Sequence, residues 1–232
     1  MPNVAPRLTM TDSKPLAQIR PRTWLSLSLT FCKELINPDR NDLPFCLPPK
    51  DILSWFRDNR YWGRKPDPIP PALPWLNYNL LRWVEERGPR SVFEWGAGAS
   101  TIWFSRLSTS PRVVSVESDP KWYAAVQASL HQANQKSQVH LCPEKSAYLE
   151  AFRLSGILPP DLVLIDGVWR EDCLKVALPY VKQGTCVIFH DTHGKPYQEA
   201  LRHLPNSVKK RDFYGPCWGI KNFRGWSLLK PA

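Results

Sequence analysis

Four acidic residues, Glu94, Glu117, Asp166 and Asp191, stand at or near the ends of short apolar runs, and His190 and His193 flank the last of them. Glu94 precedes a Gly96-Ala97-Gly98 turn by two residues, and Ser100 and Thr101 follow that turn. Two glycines at such a place let the backbone pass beneath a ligand with no Cβ in the way. Glu117 lies 19 residues beyond Gly98, where a carboxylate can accept hydrogen bonds from both hydroxyls of a ribose. Asp166 and Asp191 are candidates for orienting a reacting group and managing its proton. His190 and His193 are candidate bases, because an unperturbed imidazole titrates near neutrality.

These residues need elements to hold them, and the pattern supplies strands alternating with helices. Strands are predicted over Ser91–Trp95, Arg112–Glu117, Gln138–Cys142, Asp161–Asp166 and Thr185–His190, with two weaker candidates around Ser207–Phe213 and Gly225–Leu229. Amphipathic or capped helices fall before and between them: Asn77–Arg87, Ser100–Leu107, Asp119 to about Gln135, Ser146–Phe152, Glu171–Val181 and Tyr197–Leu204. The continuously apolar run ahead of Asp166 is that of a strand covered on both faces. The fold class is therefore α/β, a Rossmann-like three-layer sandwich with a mainly parallel, seven-stranded sheet. In such sheets ligands bind outside the carboxyl ends of the strands, which is where the acids fall.

Residues 1–73 read differently. Prolines punctuate the stretch from Pro44 to Pro74, and short helices are expected over Trp24–Ile36 and Lys50–Asn59. This is a Pro-rich helical extension packed on the domain of residues 74–232. Met1 to Trp24, polar and Pro-containing, is expected to be a disordered start without a secretory signal. Tyr61-Trp62-Gly63 and Pro74-Trp75-Leu76 could cap the substrate cleft or cover the helix layer.

Charge distinguishes between adenosine cofactors. A dinucleotide fingerprint wants a third glycine for a pyrophosphate at the helix start, where this chain has Ser100 and Thr101. Glu94 would oppose a pyrophosphate but suit an ammonium group. S-adenosylmethionine offers an ammonium, a sulfonium and a ribose, and no phosphate. The run FEWGAGAS (Phe93–Ser100), followed by VVSVESDPKWY (Val113–Tyr123), resembles the first two motifs of class I S-adenosylmethionine-dependent methyltransferases. Within them it resembles a bacterial subgroup with an acid-aromatic-Gly-x-Gly-x-Ser-Thr loop. LVLIDG (Leu162–Gly167) and VIFHDT (Val187–Thr192) match that superfamily's fourth and fifth strand ends.

The resemblance implies that Glu94, Gly96, Gly98 and Asp166 line the cofactor and that Ser100 and Thr101 add hydroxyl contacts. It implies that Glu117 holds the ribose, with Ser118 and Trp122 bordering the adenine; Trp122 read without it is a core aromatic. Catalytic roles fall to Asp166, Asp191, His193 and His190, and Trp169 and Arg170 are further candidates to touch substrate. Some small-molecule O-methyltransferases of the superfamily hold a divalent metal with an aspartate after the fourth strand and an Asp-Asn pair after the fifth. Asp166 and Asp191 match two of those ligands, but Thr192 stands in place of the asparagine, so no metal ligand is assigned.

The 232 residues carry a net charge of +10 with a pI near 9.4. A chain this basic invites nucleic acid as a partner. The excess sits in the flanks, however: residues 1–90 are net +5, residues 91–194 net −1 and residues 195–232 net +6. The expected acceptor is accordingly a small molecule with a sugar-like or other hydroxyl, with RNA or DNA methylation and a catalytically silent cofactor-binding module as the alternatives. No run approaches the length of a membrane span. The six cysteines have no metal-like spacing and read as buried free thiols of a cytoplasmic protein. The sequence does not address the oligomeric state.

Overall fold

The computed structural model describes residues 24–36, 47–61, 74–133, 135, 137–181, 183–218 and 222–232. The elements run α1 (Trp24–Leu35), α2 (Pro49–Tyr61), α3 (Tyr78–Arg87), β1 (Ser91–Trp95), α4 (Ala99–Ser105), β2 (Arg112–Glu117), α5 (Pro120–Gln132) and β3 (Gln138–Leu141). They continue with α6 (Lys145–Leu154), β4 (Leu162–Ile165), α7 (Arg170–Val181), β5 (Cys186–His190), α8 (Lys195–Arg202), β6 (Val208–Gly215) and β7 (Arg224–Pro231). The expectations for the start of the chain and for Trp62-Gly63 fall outside the described residues.

The seven strands form one sheet in the order β3-β2-β1-β4-β5-β7-β6. β1 to β5 are mutually parallel, whereas β7 runs antiparallel to β5 and to β6. Side-chain alternation sends Phe93, Trp95, Val163, Ile165, Val187 and Phe189 to one face, where they meet Tyr148 and Phe152 of α6 and Cys173, Ala177 and Val181 of α7. The opposite face presents Val92, Leu162, Leu164 and Ile188 to Leu80, Leu81 and Val84 of α3 and to Trp103 and Phe104 of α4. Both faces are thus covered, which explains the continuously apolar β4. The chain order reverses between β3 and β4, so the carboxyl ends of β1 and β4 flank the crevice where such sheets bind ligands.

β6 is an edge strand, and Lys209, Lys210 and Arg211 stand exposed along it, discouraging pairing with another sheet. Among the described cysteines, Cys173, Cys186 and Cys217 are buried free thiols, whereas Cys32 on α1 is exposed, against expectation. Its helix is amphipathic and the position faces water, which an apolar neighbourhood in sequence does not reveal. No helix among the described residues is long and apolar enough to cross a membrane.

α1 and α2 dock against the β6–β7 end of the sheet. Leu27 and Trp55, both fully buried, pack with Tyr78, Tyr214, Trp218 and Phe223. Trp55 meets Phe223 edge-on at 5.6 Å. Polar contacts fix the arrangement: Tyr214 donates to Glu34 at 2.8 Å, Tyr78 to Asp58 at 2.7 Å, and Arg82 forms a two-pronged pair with Asp51. Removing the centre of this cluster by Trp55→Ala is expected to cost about 3–5 kcal/mol of unfolding free energy in urea denaturation. A change within measurement error would mean that the extension does not dock there.

Candidate functional site

β1 and β4 deliver their chains to one point. Gly96, at φ +99°, lies so close to Gly167 that a Cβ on it would come within 2.6 Å of the Gly167 backbone. A Cβ on Gly167 would in turn fall 2.1 Å from the Tyr148 hydroxyl. Neither position admits a side chain, and the two turns cross beneath a cavity of about 310 Å3. Gly96, Ala97, Gly98, Ala99, Ser100, Glu117 and Trp122 line one end of it; Pro74, Trp75, Arg170, His190, Asp191 and Arg224 line the other, with Asp166 and Gly167 between. The volume is at the lower end of the range for small-molecule sites.

Glu117 ends β2 about nine-tenths buried. Its Oε1 accepts the backbone N–H groups of Ser118 at 2.7 Å and Asp119 at 2.8 Å, while Oε2 has no protein partner among the described residues. Burial raises its pKa and the two amides pull it back, leaving it above the ordinary carboxylate value. Asp119 caps α5 by accepting from the N–H groups of Lys121 and Trp122. That cap sets Trp122, whose indole N–H donates to the Ala97 carbonyl at 2.6 Å and whose ring forms part of the cavity wall.

Glu94 takes a different place from the one its position in the motif suggests. It is fully buried under the glycine turn and is not on the cavity wall. Strand alternation points it toward α4, and Ser115, its register partner on β2, donates to it at 2.7 Å. Thr101 donates at 2.5 Å, and Ser100 makes a further short hydrogen bond. Thr101 Oγ1 also accepts the Gly98 N–H at 3.0 Å. Glu94 therefore organises the turn from below. Burial pushes its carboxyl up to about 7, against the three hydroxyls that favour the charged form.

At the other end, Arg170 at the start of α7 spans the ends of β4 and β5. Its Nε donates to the Gly167 carbonyl at 2.8 Å, Nη1 to the His190 carbonyl at 2.9 Å and Asp191 Oδ2 at 3.2 Å. Nη2 donates to the Asp166 carbonyl at 2.9 Å and lies 3.2 Å from Asp166 Oδ1. His190, buried, places Nδ1 3.0 Å from Asp166 Oδ1 and Nε2 3.2 Å from Asn77 Oδ1. The Asn77 amide nitrogen donates to the carbonyls of Gly215 and Arg224, so its oxygen is the atom facing His190. Both ring nitrogens thus face acceptors, the setting of an imidazolium. Burial alone would strip the proton, but Asp166 and Asp191 outweigh it and hold the pKa above that of an ordinary imidazole.

Asp191 has a φ of +59°, a left-handed conformation unusual outside glycine that turns the chain out of β5. Burial works against its charge, yet His190, Arg170 and Arg224 depress its pKa. Its Oδ1 is buried without a hydrogen bond, 3.6 Å from the equally unsatisfied Arg224 Nε. His193 does not reach the cavity wall: Arg224 Nη1 lies 3.2 Å from its Nε2, and it packs behind that arginine against Tyr214. Ser118 and Trp169 are likewise off the wall, Trp169 packing edge-on against Tyr148.

Of the sequence candidates, Gly96, Gly98, Ser100, Glu117, Trp122, Asp166, His190, Asp191 and Arg170 converge on one cavity, and Pro74-Trp75 forms its rim while Leu76 turns into the core. Asn77 and Arg224 were not legible. Asn77 precedes a helix like an ordinary cap, and Arg224 opens the last strand with no motif around it.

No protein-family model matches this chain, and no curated protein matches it by sequence. Solved structures do match its fold. The O-methyltransferase from Bacillus cereus in complex with SAH aligns with a TM-score of 0.54 at 18% identity, covering 91% of this chain and 92% of that one. The O-methyltransferase TomG from Streptomyces achromogenes, involved in tomaymycin synthesis and bound to SAM, aligns at 0.53 and 17%, covering 91% and 92%. A cofactor-bound protein from MTB aligns at 0.56 and 20%, covering 79% of this chain and 98% of that one. The chain has the fold of the class I S-adenosylmethionine-dependent methyltransferases.

The Glu94 arrangement makes a signed prediction. A carboxyl whose folded pKa lies near 7, above its ordinary value of 4.5, stabilises the fold least when ionised. The stability difference between wild type and Glu94→Gln should therefore fall as pH rises from about 4.5 to about 7 and level off above that. Urea midpoints across this range measure it; a difference that grows with pH would show that the hydroxyls stabilise the charged form outright.

Proposed function

We propose that this protein is an S-adenosylmethionine-dependent methyltransferase acting on an oxygen of a small-molecule acceptor. The observation that carries the reading is the two-ended cavity. At one end, the glycine turn leaves open backbone beside Trp122, and Glu117 presents an uncommitted Oε2. At the other, Asp191 and Arg224 set opposite charges side by side on the wall, with Asp191 Oδ1 itself buried between Arg224 and His190. Residues 74–232 are the cofactor-binding unit in this reading, and α1 and α2 brace the side on which the Trp75 rim and β7 meet.

The residues divide by what each can do to a bound methyl donor and acceptor. Glu117 accepts from the ribose hydroxyls, and Trp122 offers a flat surface to the adenine. Gly96 and Gly98 let the amino-acid part of the donor lie against backbone, with Ser100 adding a hydroxyl. Asp166, at the midpoint, faces the donor's cationic portion. Methyl transfer is an in-line displacement at the sulfonium carbon, so alignment accounts for much of the acceleration. Asp191, through the part of its carboxylate on the cavity wall, orients the acceptor's O–H and fixes the direction of attack. Trp75 covers the acceptor from the rim, and Arg224 attracts any anionic group it carries. His190, with both ring nitrogens committed, keeps Asp166 in place instead of taking a proton from the acceptor.

The small volume of the cavity, about 310 Å3, favours a small acceptor over a polynucleotide. The basic cluster Lys209-Lys210-Arg211 is exposed on the edge strand, and none of the three lines the cavity.

Calorimetry with S-adenosylmethionine tests the cofactor reading. Wild type should bind it, and Glu117→Ala should weaken binding at least about tenfold, since a hydrogen bond to a charged acceptor contributes about 1.5–3 kcal/mol. Binding unchanged in that variant would remove the ribose assignment. Transfer of labelled methyl from the donor to a component of a small-molecule extract should then appear with wild type; label found only in RNA or DNA would replace the acceptor class proposed here.

A further inference from the structure

Asp166, His190 and Asp191 each offer a ligand atom, and these atoms lie within 4.8 Å of one another, the spacing of a divalent-metal site. The surrounding residues do not fit such an ion. The space between the two carboxylates is spanned by the Arg170 guanidinium, which pairs with Asp166 Oδ1 and Asp191 Oδ2 at 3.2 Å each. Its five N–H groups meet five acceptors, three of them the backbone carbonyls of Asp166, Gly167 and His190. Those carbonyls lie at or just beyond the strand ends, so the guanidinium cannot swing away without leaving all three without its N–H groups. Its side chain is only 12% exposed, and its face lies 5.3 Å from the Tyr197 ring, which favours a cation there. Arg224 adds a second positive charge 3.6 Å from Asp191 Oδ1. Thr192, beside Asp191, is fully buried and not on the cavity wall, so it supplies no further ligand.

We propose that Arg170 is the resident cation of this carboxylate pair: a fixed guanidinium fills the role of a divalent ion, holding Asp166 and Asp191 at the spacing the cavity requires, and it keeps metal out. Arginine suits this task because its planar fork engages both carboxylates and carbonyls at once and never loses its charge. Arg170 is a positioning residue in this assignment, acting on donor and acceptor through the two aspartates. The assignment stands on the geometry of the strand ends and not on methyl transfer.

The test is Mn2+ binding to the full-length protein, followed by electron paramagnetic resonance and calorimetry, with S-adenosylmethionine binding titrated in parallel with and without EDTA. Wild type is expected to show no stoichiometric Mn2+ at millimolar concentration, and EDTA should leave cofactor affinity unchanged. Arg170→Met, checked for folding by circular dichroism, should gain at least about tenfold in Mn2+ affinity through the freed carboxylates, and adding Asp191→Asn should abolish the gain. A stoichiometric Mn2+ site in wild type that Asp166→Asn removes would overturn the proposal, as would a folded Arg170→Met protein that binds no Mn2+. If Arg170→Met does not fold, the wild-type titration decides alone: a stoichiometric site overturns the assignment and its absence supports it. Failure of wild type to bind S-adenosylmethionine would count against the proposed function and leave the Mn2+ result to judge Arg170.

Discussion

Negative charge gathered at the carboxyl ends of a parallel sheet has to be compensated, and the upper half of this molecule is built around that requirement. Four carboxylates, Glu94, Glu117, Asp166 and Asp191, lie within or beside one crevice, all at least two-thirds withdrawn from water. Each is met by different means. Glu94 is surrounded by three hydroxyls and holds its proton to about 7. Glu117 is met by two backbone amides. Asp166 and Asp191 share Arg170 and His190. Because a carboxylate buried without compensation costs several kcal/mol, these partners constrain how β1, β2, β4 and β5 end.

The compensation is also unequal, and that inequality sorts the groups by what they can do. Glu94, with every oxygen engaged and no cavity exposure, belongs to the scaffold. Glu117 and Asp191 each retain one oxygen without a hydrogen bond, Glu117 Oε2 at one end of the cavity and, at the other, Asp191 Oδ1, buried between Arg224 and His190. A buried acceptor left without a donor is expensive unless a ligand or water completes it. The same reasoning separates the histidines. His190 is fixed between acceptors, and His193 lies behind Arg224, so neither stands free on the wall as a base.

The elements and the cofactor end were legible in the sequence because their determinants are local. β1 and β2 fall at the residues expected, since their apolar runs are bounded by a glycine turn and by the Asp119 cap, and α3, α5 and α7 follow from periodicity and capping. The meeting of the turns after β1 and β4 was legible only as two glycine positions; that Gly96 and Gly167 touch depends on sheet order. The acceptor end was harder because it is assembled from distant positions. Asn77 reaches His190 across 113 residues and Arg224 reaches His193 across 31. Glu94 was read as a cavity acid because its place in the motif is right. Strand alternation, which sends it under the turn toward Ser115, decides otherwise.

The histidine at the end of β5 shows how far such distant contacts reach. From sequence, His190 has an imidazole's ordinary pKa and a place beside an acid, which together suggest a base. Its Nε2 faces the oxygen of Asn77, and Asn77 is oriented by two backbone carbonyls, at Gly215 and Arg224, that end β6 and begin β7. The antiparallel pair at the sheet edge therefore orients one of the two acceptors that meet this ring, Asp166 being the other. The same pair carries the Tyr214 contact that ties down α1 and the Arg224 side chain that borders Asp191. What reads in sequence as the weakest part of the domain, two late strands without a motif, is the part that orients the acceptor end.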